Sequence, residues 1–303
     1  MRFFVHRSRR RALLLTLMVL TGVSSCLQKQ EQIPVLTAAA SIPEQHDNPA
    51  ESLLLQYWSN FDFGDSSAIK NPAVAEQAFV DFLAATARVP ESVSTIAIRN
   101  MLYRVKAYPP AFNYFKQQYE HYLYDPNSPM RNDALYEPVL EFLLDSTQLD
   151  HANKFRYQER LKMVRKNKAG HYAPDFEFEL PSGAKASLYT TKGNFTLLFF
   201  YEPDCPHCQS SLAALKASQH IQQLVAQAKL KILMVYAGGR DRLWRDYHPQ
   251  IPASWTNGFD RANRIRQKKL YDLRASPTIY LLNKDKKVIL KDTNLNQVAL
   301  LLT

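Results

Sequence analysis

FTLLFFYEPDCPHCQSSLAALK, residues 195–216, runs from Thr196 to Tyr201, all apolar or β-prone, through a short loop into Cys205-Pro206-His207-Cys208. Leu212, Leu215 and Ala217 then recur at helical spacing, which predicts the order strand, turn, dithiol, helix. Pro206 suits the first helical position, where no N–H is needed. A thiol is a useful nucleophile only as thiolate, and the unpaired N–H groups and positive dipole end of a helix N-terminus favour that form. The alternatives are half of a zinc site or an inert core pair. Zinc wants four ligands, yet no further Cys lies downstream, and His207 stands between the two thiols, where it cannot easily join them on one ion. A redox dithiol is the better reading, because the pair follows a strand and begins a helix.

Outward from this stretch, 303 residues at 46% hydrophobic content allow about two packed domains. The first 25 residues read as an export signal: Arg2, Arg7, Arg9, Arg10 and Arg11 form a basic region, and Ala12 to Val23 an apolar one. That run is too short to span a bilayer, which takes ~20 residues. Val23-Ser24-Ser25-Cys26 resembles the lipobox of bacterial lipoproteins, whose Cys becomes the lipidated first residue; ordinary cleavage is the alternative. The tandem arginines also permit a twin-arginine route. These 25 residues hold five of the 38 basic residues and none of the 28 acidic ones, so the remainder carries +5. Much of the basicity is therefore a targeting feature, and no nucleic-acid partner is needed to explain it. With Cys26 acylated, Cys205 and Cys208 are left as a pair that can cycle outside the reducing cytosol.

Residues 26–48, rich in Gln, Ala and Pro, read as a tether. Residues 49–168 read as a helical domain of about six helices without cysteine. Apolar faces recur at Leu53, Leu54, Tyr57, Trp58 and Phe61, then from Val74 to Leu83 behind an Asn71-Pro72 cap, within Glu91–Lys106, from Phe112, over Leu135–Leu144 and over Phe155–Val164. Such aromatic stripes read as core, with a groove for a partner segment as the alternative. Lys154, Arg156, Arg160, Lys162, Arg165, Lys166 and Lys168 read as a solvated basic face, with contact to anionic lipid as the alternative. Residues 170–303 form the second domain. A hairpin over Pro174–Leu180 and Ala184–Leu188 precedes the central strand, a helix follows the dithiol to about Gln227, and Lys231–Tyr236 is the next strand. Residues 240–270 read as polar and partly helical, anchored by Trp244, Tyr247, Trp255 and Phe259. The antiparallel pair 278–282 and 288–290 and a short C-terminal helix end the chain.

Two resemblances bear on these domains. Tyr122-Leu123-Tyr124-Asp125-Pro126-Asn127-Ser128-Pro129-Met130-Arg131-Asn132, with Glu76 to Leu83 upstream, resembles the helical domain of unknown function that precedes thioredoxin modules in lipoproteins of Gram-negative anaerobes. The hairpin beginning Pro174-Asp175-Phe176, the strand–CxxC–helix order and Ala275-Ser276-Pro277-Thr278 resemble the thioredoxin superfamily, specifically exported proteins of the TlpA and ResA type. The fold class expected is α+β, an all-helical N-terminal domain followed by a thioredoxin-fold α/β domain. The resemblance implies that Cys205 attacks, Cys208 resolves, Pro277 is a cis-proline beside the dithiol, and the backbone of Ser276 pairs with a bound peptide.

The chain departs from that pattern at two positions. Asp204 replaces the usual Trp, and Phe199 replaces the buried acid of thioredoxin, which puts the proton shuttle in doubt; Glu202 acting through water is one alternative, an ordinary exposed carboxylate the other. The dipeptide Pro206-His207 matches the oxidant DsbA, but no helical insertion follows the first helix as it does there. A protonated His207 favours the thiolate and Asp204 opposes it. At an effective dielectric of ~20 a unit charge ~5 Å away is worth about 3 kcal/mol, so the redox direction is not readable from the two.

The function expected is an envelope-anchored thiol-disulfide oxidoreductase facing the periplasm, without cofactor or metal. Its partners would be exported proteins with cysteines or disulfides and a membrane electron partner. The rival is a non-catalytic binding or assembly lipoprotein that uses the helical domain, with the thioredoxin fold as scaffold. A peroxidase fits less well, because peroxiredoxins place their reactive Cys after a Pro and Thr at set spacing, and Phe199, Glu202 and their neighbours stand there instead.

Overall fold

The structure, a computed structural model, describes residues 48–302 except Thr147. The signal peptide, Cys26 and all of the tether but Asn48 lie outside the described residues. Among the described residues no helix is long and apolar enough to cross a membrane.

Seven α-helices build the first half: α1 Pro49–Gln56, α2 Ser66–Lys70, α3 Ala75–Thr86, α4 Glu91–Val105, α5 Pro109–Tyr119, α6 Asp133–Ser146 and α7 His151–Val164. One more helix is present than periodicity predicts. The extra one, α2, has five residues, too few to show a repeat, and forms because Asp65 accepts from the N–H groups of Ser67 and Ala68. Asn71 ends that helix and starts a turn, so the cap expected at Asn71-Pro72 is displaced and α3 begins at Ala75. The aromatic stripes close into one core. Trp58 lies 5.1–5.7 Å from the rings of Tyr57, Phe61, Phe63, Phe82 and Phe115, each pair worth ~0.5–1.5 kcal/mol beyond its burial. Helix α5 runs on into a π-helical turn, Glu120–Tyr124, which carries Tyr124 to the boundary with the second half.

Seven strands form one sheet in the order β2-β1-β5-β4-β3-β6-β7: β1 Glu177–Glu179, β2 Lys185–Ser187, β3 Phe195–Tyr201, β4 Leu230–Tyr236, β5 Thr256–Phe259, β6 Thr278–Asn283 and β7 Val288–Leu290. Strands β3, β4 and β5 are parallel, while β6 runs antiparallel to β3 and β1 to β5. Central β3 is buried on both faces, as its unbroken apolar run requires. Leu197, Phe199 and Tyr201 face a core with α8 Pro206–Ala217 and α9 Gln219–Ala226, and Leu198 and Phe200 face Phe176, Tyr271 and Tyr280. The single long helix expected after the dithiol is two, because Ser218 leaves helical geometry and caps α9 at Ile221 N–H. The region 240–270 holds α10 Asp241–Tyr247, α11 Arg264–Gln267 and strand β5, which periodicity does not predict. Its sequence Thr-Asn-Gly-Phe has weak strand propensity. Gly258 is required there: a Cβ would sit 2.6 Å from the Phe178 ring. Helix α12, Leu295–Leu301, closes the chain with an Asn294/Gln297 capping box.

The halves meet through charge. Arg131 pairs with Asp292 at 2.9 Å and Asp272 at 3.4 Å, and Lys291 reaches Asp133 at 2.6 Å. Arg274 donates to the Tyr124 carbonyl at 3.2 Å and lies 3.7 Å from the centre of its ring.

Candidate active site

Strand β3 ends at Tyr201, Glu202 to Asp204 turn the chain, and Cys205 becomes the N-cap of α8 with Pro206 as its first residue. Cys205 has the extended backbone of a cap, and its Sγ accepts from the N–H of Cys208 at 3.2 Å. The same thiol faces the Ser276 carbonyl at 3.4 Å. The Ser276–Pro277 bond is cis, and β6 starts at the next residue. Cys205, Pro206, His207, Cys208, Ser276 and Pro277 thus gather at one end of β3 and β6. Pro206 and His207 are exposed, Cys205 is half-buried and Cys208 is buried.

Cys208 packs in the core with Phe199, Tyr201 and Leu212. Burial pushes its thiol far above the usual range, the contact with Cys205 adds to the rise, and the Glu202 charge contributes. Phe199, fully buried where thioredoxin has an acid, gives this thiol an apolar neighbour in place of a carboxylate.

Both acids of the loop have partners that sequence reasoning missed. Glu202 is neither exposed nor free: Arg266 holds it at 2.6 Å and also donates to the Leu273 carbonyl at 3.3 Å. Asp204 pairs with Arg240 at 3.4 Å, and Arg240 in turn bonds the Tyr236 hydroxyl at 3.1 Å. The charge of Asp204 is therefore shared with a cation rather than set only against His207. Both ends of that pair are more than 60% exposed, so water screens it heavily. Gly238 makes room here, since a Cβ would sit 2.3 Å from the Tyr236 hydroxyl. On the buried side Tyr201 donates to Asn257 at 3.0 Å, and Asn257 meets His248 Nδ1 at 3.1 Å. Tyr247 lies beside the dithiol, its phenol pushed up by burial and by the neighbouring sulfurs. The sequence marked Tyr247 only as a packing anchor, and its buried ring fills that part too. No cluster of His, Cys, Asp and Glu suited to a metal occurs among the described residues.

A strand feeding a helix that a half-buried cysteine caps, next to a cis-proline loop, defines a thioredoxin-like site. Comparison with known proteins agrees. Residues 169–291 match the AhpC/TSA family, and residues 22–167 match a domain of unknown function, DUF5106. The crystal structure of a thioredoxin-like protein from Bacteroides caccae is 39% identical, covering 84% of this chain and 91% of that one, with a TM-score of 0.79. The C-terminal domain of an uncharacterized protein from Bacteroides fragilis is 41% identical over 45% of this chain and 97% of that one, with a TM-score of 0.44. No curated protein matches. The chain belongs to the thioredoxin-like family, with a helical N-terminal region ahead of a thioredoxin fold.

Proposed function

We propose that the protein is an envelope-anchored thiol-disulfide oxidoreductase that exchanges electrons between its Cys205/Cys208 pair and exported proteins. The observation that carries this reading is the placement of Cys205 Sγ, half-exposed at a helix N-cap and 3.4 Å from the Ser276 carbonyl. In the reducing direction Cys205 thiolate attacks a substrate disulfide, forming a mixed disulfide and expelling one substrate sulfur as thiolate, which takes up a proton. Two of the influences that hold the proton on Cys208 come from the free Cys205 sulfur, and they vanish once that sulfur is bonded. Cys208 then loses its proton and attacks Cys205 Sγ, the second substrate thiol leaves, and two electrons have passed to the substrate. The opposite direction reverses each step.

Cys208→Ala should trap substrates on Cys205 as mixed disulfides, and Cys205→Ala should abolish exchange. A reduction potential measured on the purified dithiol sets the direction. Intact cysteines without any exchange activity would remove the proposal. Anchoring through an acylated Cys26, facing the periplasm, is part of it; fatty-acid labelling lost in Cys26→Ala is the matching test. A binding or assembly role for the helical half is the second reading, favoured by its grip on the segment before Ser276. In that case Cys205→Ala would leave the phenotype intact, and deletion of residues 50–168 would abolish it.

A further inference from the structure

A cleft of about 790 Å³ lies between α7 and the chain leading into the cis-proline loop, away from the sulfurs themselves. Phe155, Arg156, Arg160 and Met163 form one wall, and Arg266, Lys269 and Asp272 to Arg274 the other, with Tyr124 contributing from the helical half. Tyr124 organises the cations: the guanidiniums of Arg160 and Arg274 lie 4.6 Å and 3.7 Å from its ring centre. Five cationic side chains line the cleft against two carboxylates: Asp272, buried under Arg274, and Glu159, 3.4 Å from Lys269. Glu120 and Glu202, which pair with Arg160 and Arg266, are not part of the lining. At the rim Phe155 is 66% exposed and offers the cleft an apolar edge.

The cleft is connected to the dithiol by two routes. Arg274 is followed directly by Ala275 and by Ser276, whose carbonyl faces Cys205 Sγ. Arg266 grips Glu202, whose carbonyl accepts the N–H of Cys205 at 3.1 Å. A peptide with its cysteine at Cys205 would need only a few residues, at ~3.3 Å each, to reach the cleft. A lipid surface is a poorer match for the same cations, because Arg160, Arg266 and Arg274 are each oriented by protein partners, Glu120, Glu202 and the Tyr124 carbonyl.

We infer that this cleft docks the segment flanking the cysteine of a protein substrate, and that the segment is acidic with an apolar or aromatic side chain. The inference rests on the thiol-disulfide reading for its role, while binding itself can be measured without redox activity. The test uses the full-length chain and two fluorescent cystine peptides of equal length, one with Glu and Phe flanking the disulfide and one with Lys and Gln. The acidic peptide should be reduced with kcat/KM about tenfold higher, and the preference should shrink with added salt. Phe155→Ala with Arg156→Glu, both changes at the rim, should erase the preference and leave reduction of uncharged bis(2-hydroxyethyl) disulfide unchanged; Lys269→Glu should do the same as an independent variant. Fluorescence anisotropy on Cys205→Ser should show the same ranking of the peptides, which keeps the cleft testable even if the dithiol proves inert. Equal handling of both peptides overturns the inference. So does binding of vesicles containing anionic phospholipid that the same variants abolish while neither peptide is preferred.

Discussion

The helical half and the thioredoxin half bury their side chains for different ends. In residues 49–168 the buried polar groups are few: Thr86, Ser94 and Asp133, with Asp133 turned toward the other half. The remaining core is aromatic and aliphatic. The thioredoxin half buries Thr191, Thr196, Asn257, Asp260, Asp272, Thr278 and Lys286, of which Asp272 and Thr278 flank the loop that faces the dithiol. The buried polar groups are thus concentrated in one half, and the other meets the chain before Ser276 through Tyr124 and Arg131.

Trp58→Ala should give the largest effect and isolates the scaffold. Losing a ring that touches five others should cost about 3–5 kcal/mol in denaturant unfolding, with little change in the thiol reactivity of the fraction still folded. A loss of reactivity larger than the unfolded fraction explains would break the division between the halves. Arg274→Ala attacks the place where they touch. It strips the nearer cation from buried Asp272, leaving Arg131 at 3.4 Å and the backbone N–H of residue 274, and frees the Tyr124 carbonyl, so a cost of about 3 kcal/mol should come with slower reduction of peptide disulfides. Unchanged peptide kinetics would show that the helical half does not govern the loop.

The smallest effect is on pH dependence. Burial, with Asp133 and Asp272 nearby, pushes the Asp292 carboxyl up to about 6, against the pull of Arg131 and Lys291. A raised carboxyl means that the folded protein binds more protons than the unfolded chain between about pH 4 and 6. This group's contribution is therefore greatest at low pH and is lost as pH rises through about 6. Asp272, held below the usual carboxylate range by Arg274 and Arg131 despite its burial, acts oppositely, and its contribution falls away only in stronger acid. Asp292→Asn should flatten the rise in stability from pH 6.5 to 4.5, a change on the order of 1–2 kcal/mol in urea unfolding. An unchanged slope would place that titration elsewhere.

Where the sequence could be read and where it could not follows the same contrast. Strand β3, the helix that starts behind Cys205, the hairpins and most of the other helices are local patterns, and they stand where spacing puts them. Strand β5 escaped because Asn257 and Gly258 are chosen by a hydrogen bond to Tyr201 and by the Phe178 ring, both far away in sequence. The break at Ser218 escaped because neither Gly nor Pro marks it, and only the capping hydrogen bond of Ser218 starts the second helix.

Residue order alone settled that a cysteine pair opens a helix behind a buried strand, since spacing and capping act over a few residues. Only the folded chain decided what surrounds the pair: Ser276 lies 71 positions from Cys205, Arg266 lies 64 from Glu202, and Arg274 lies 150 from Tyr124. Contacts at such separations depend on the path of the whole backbone, and no local period records them.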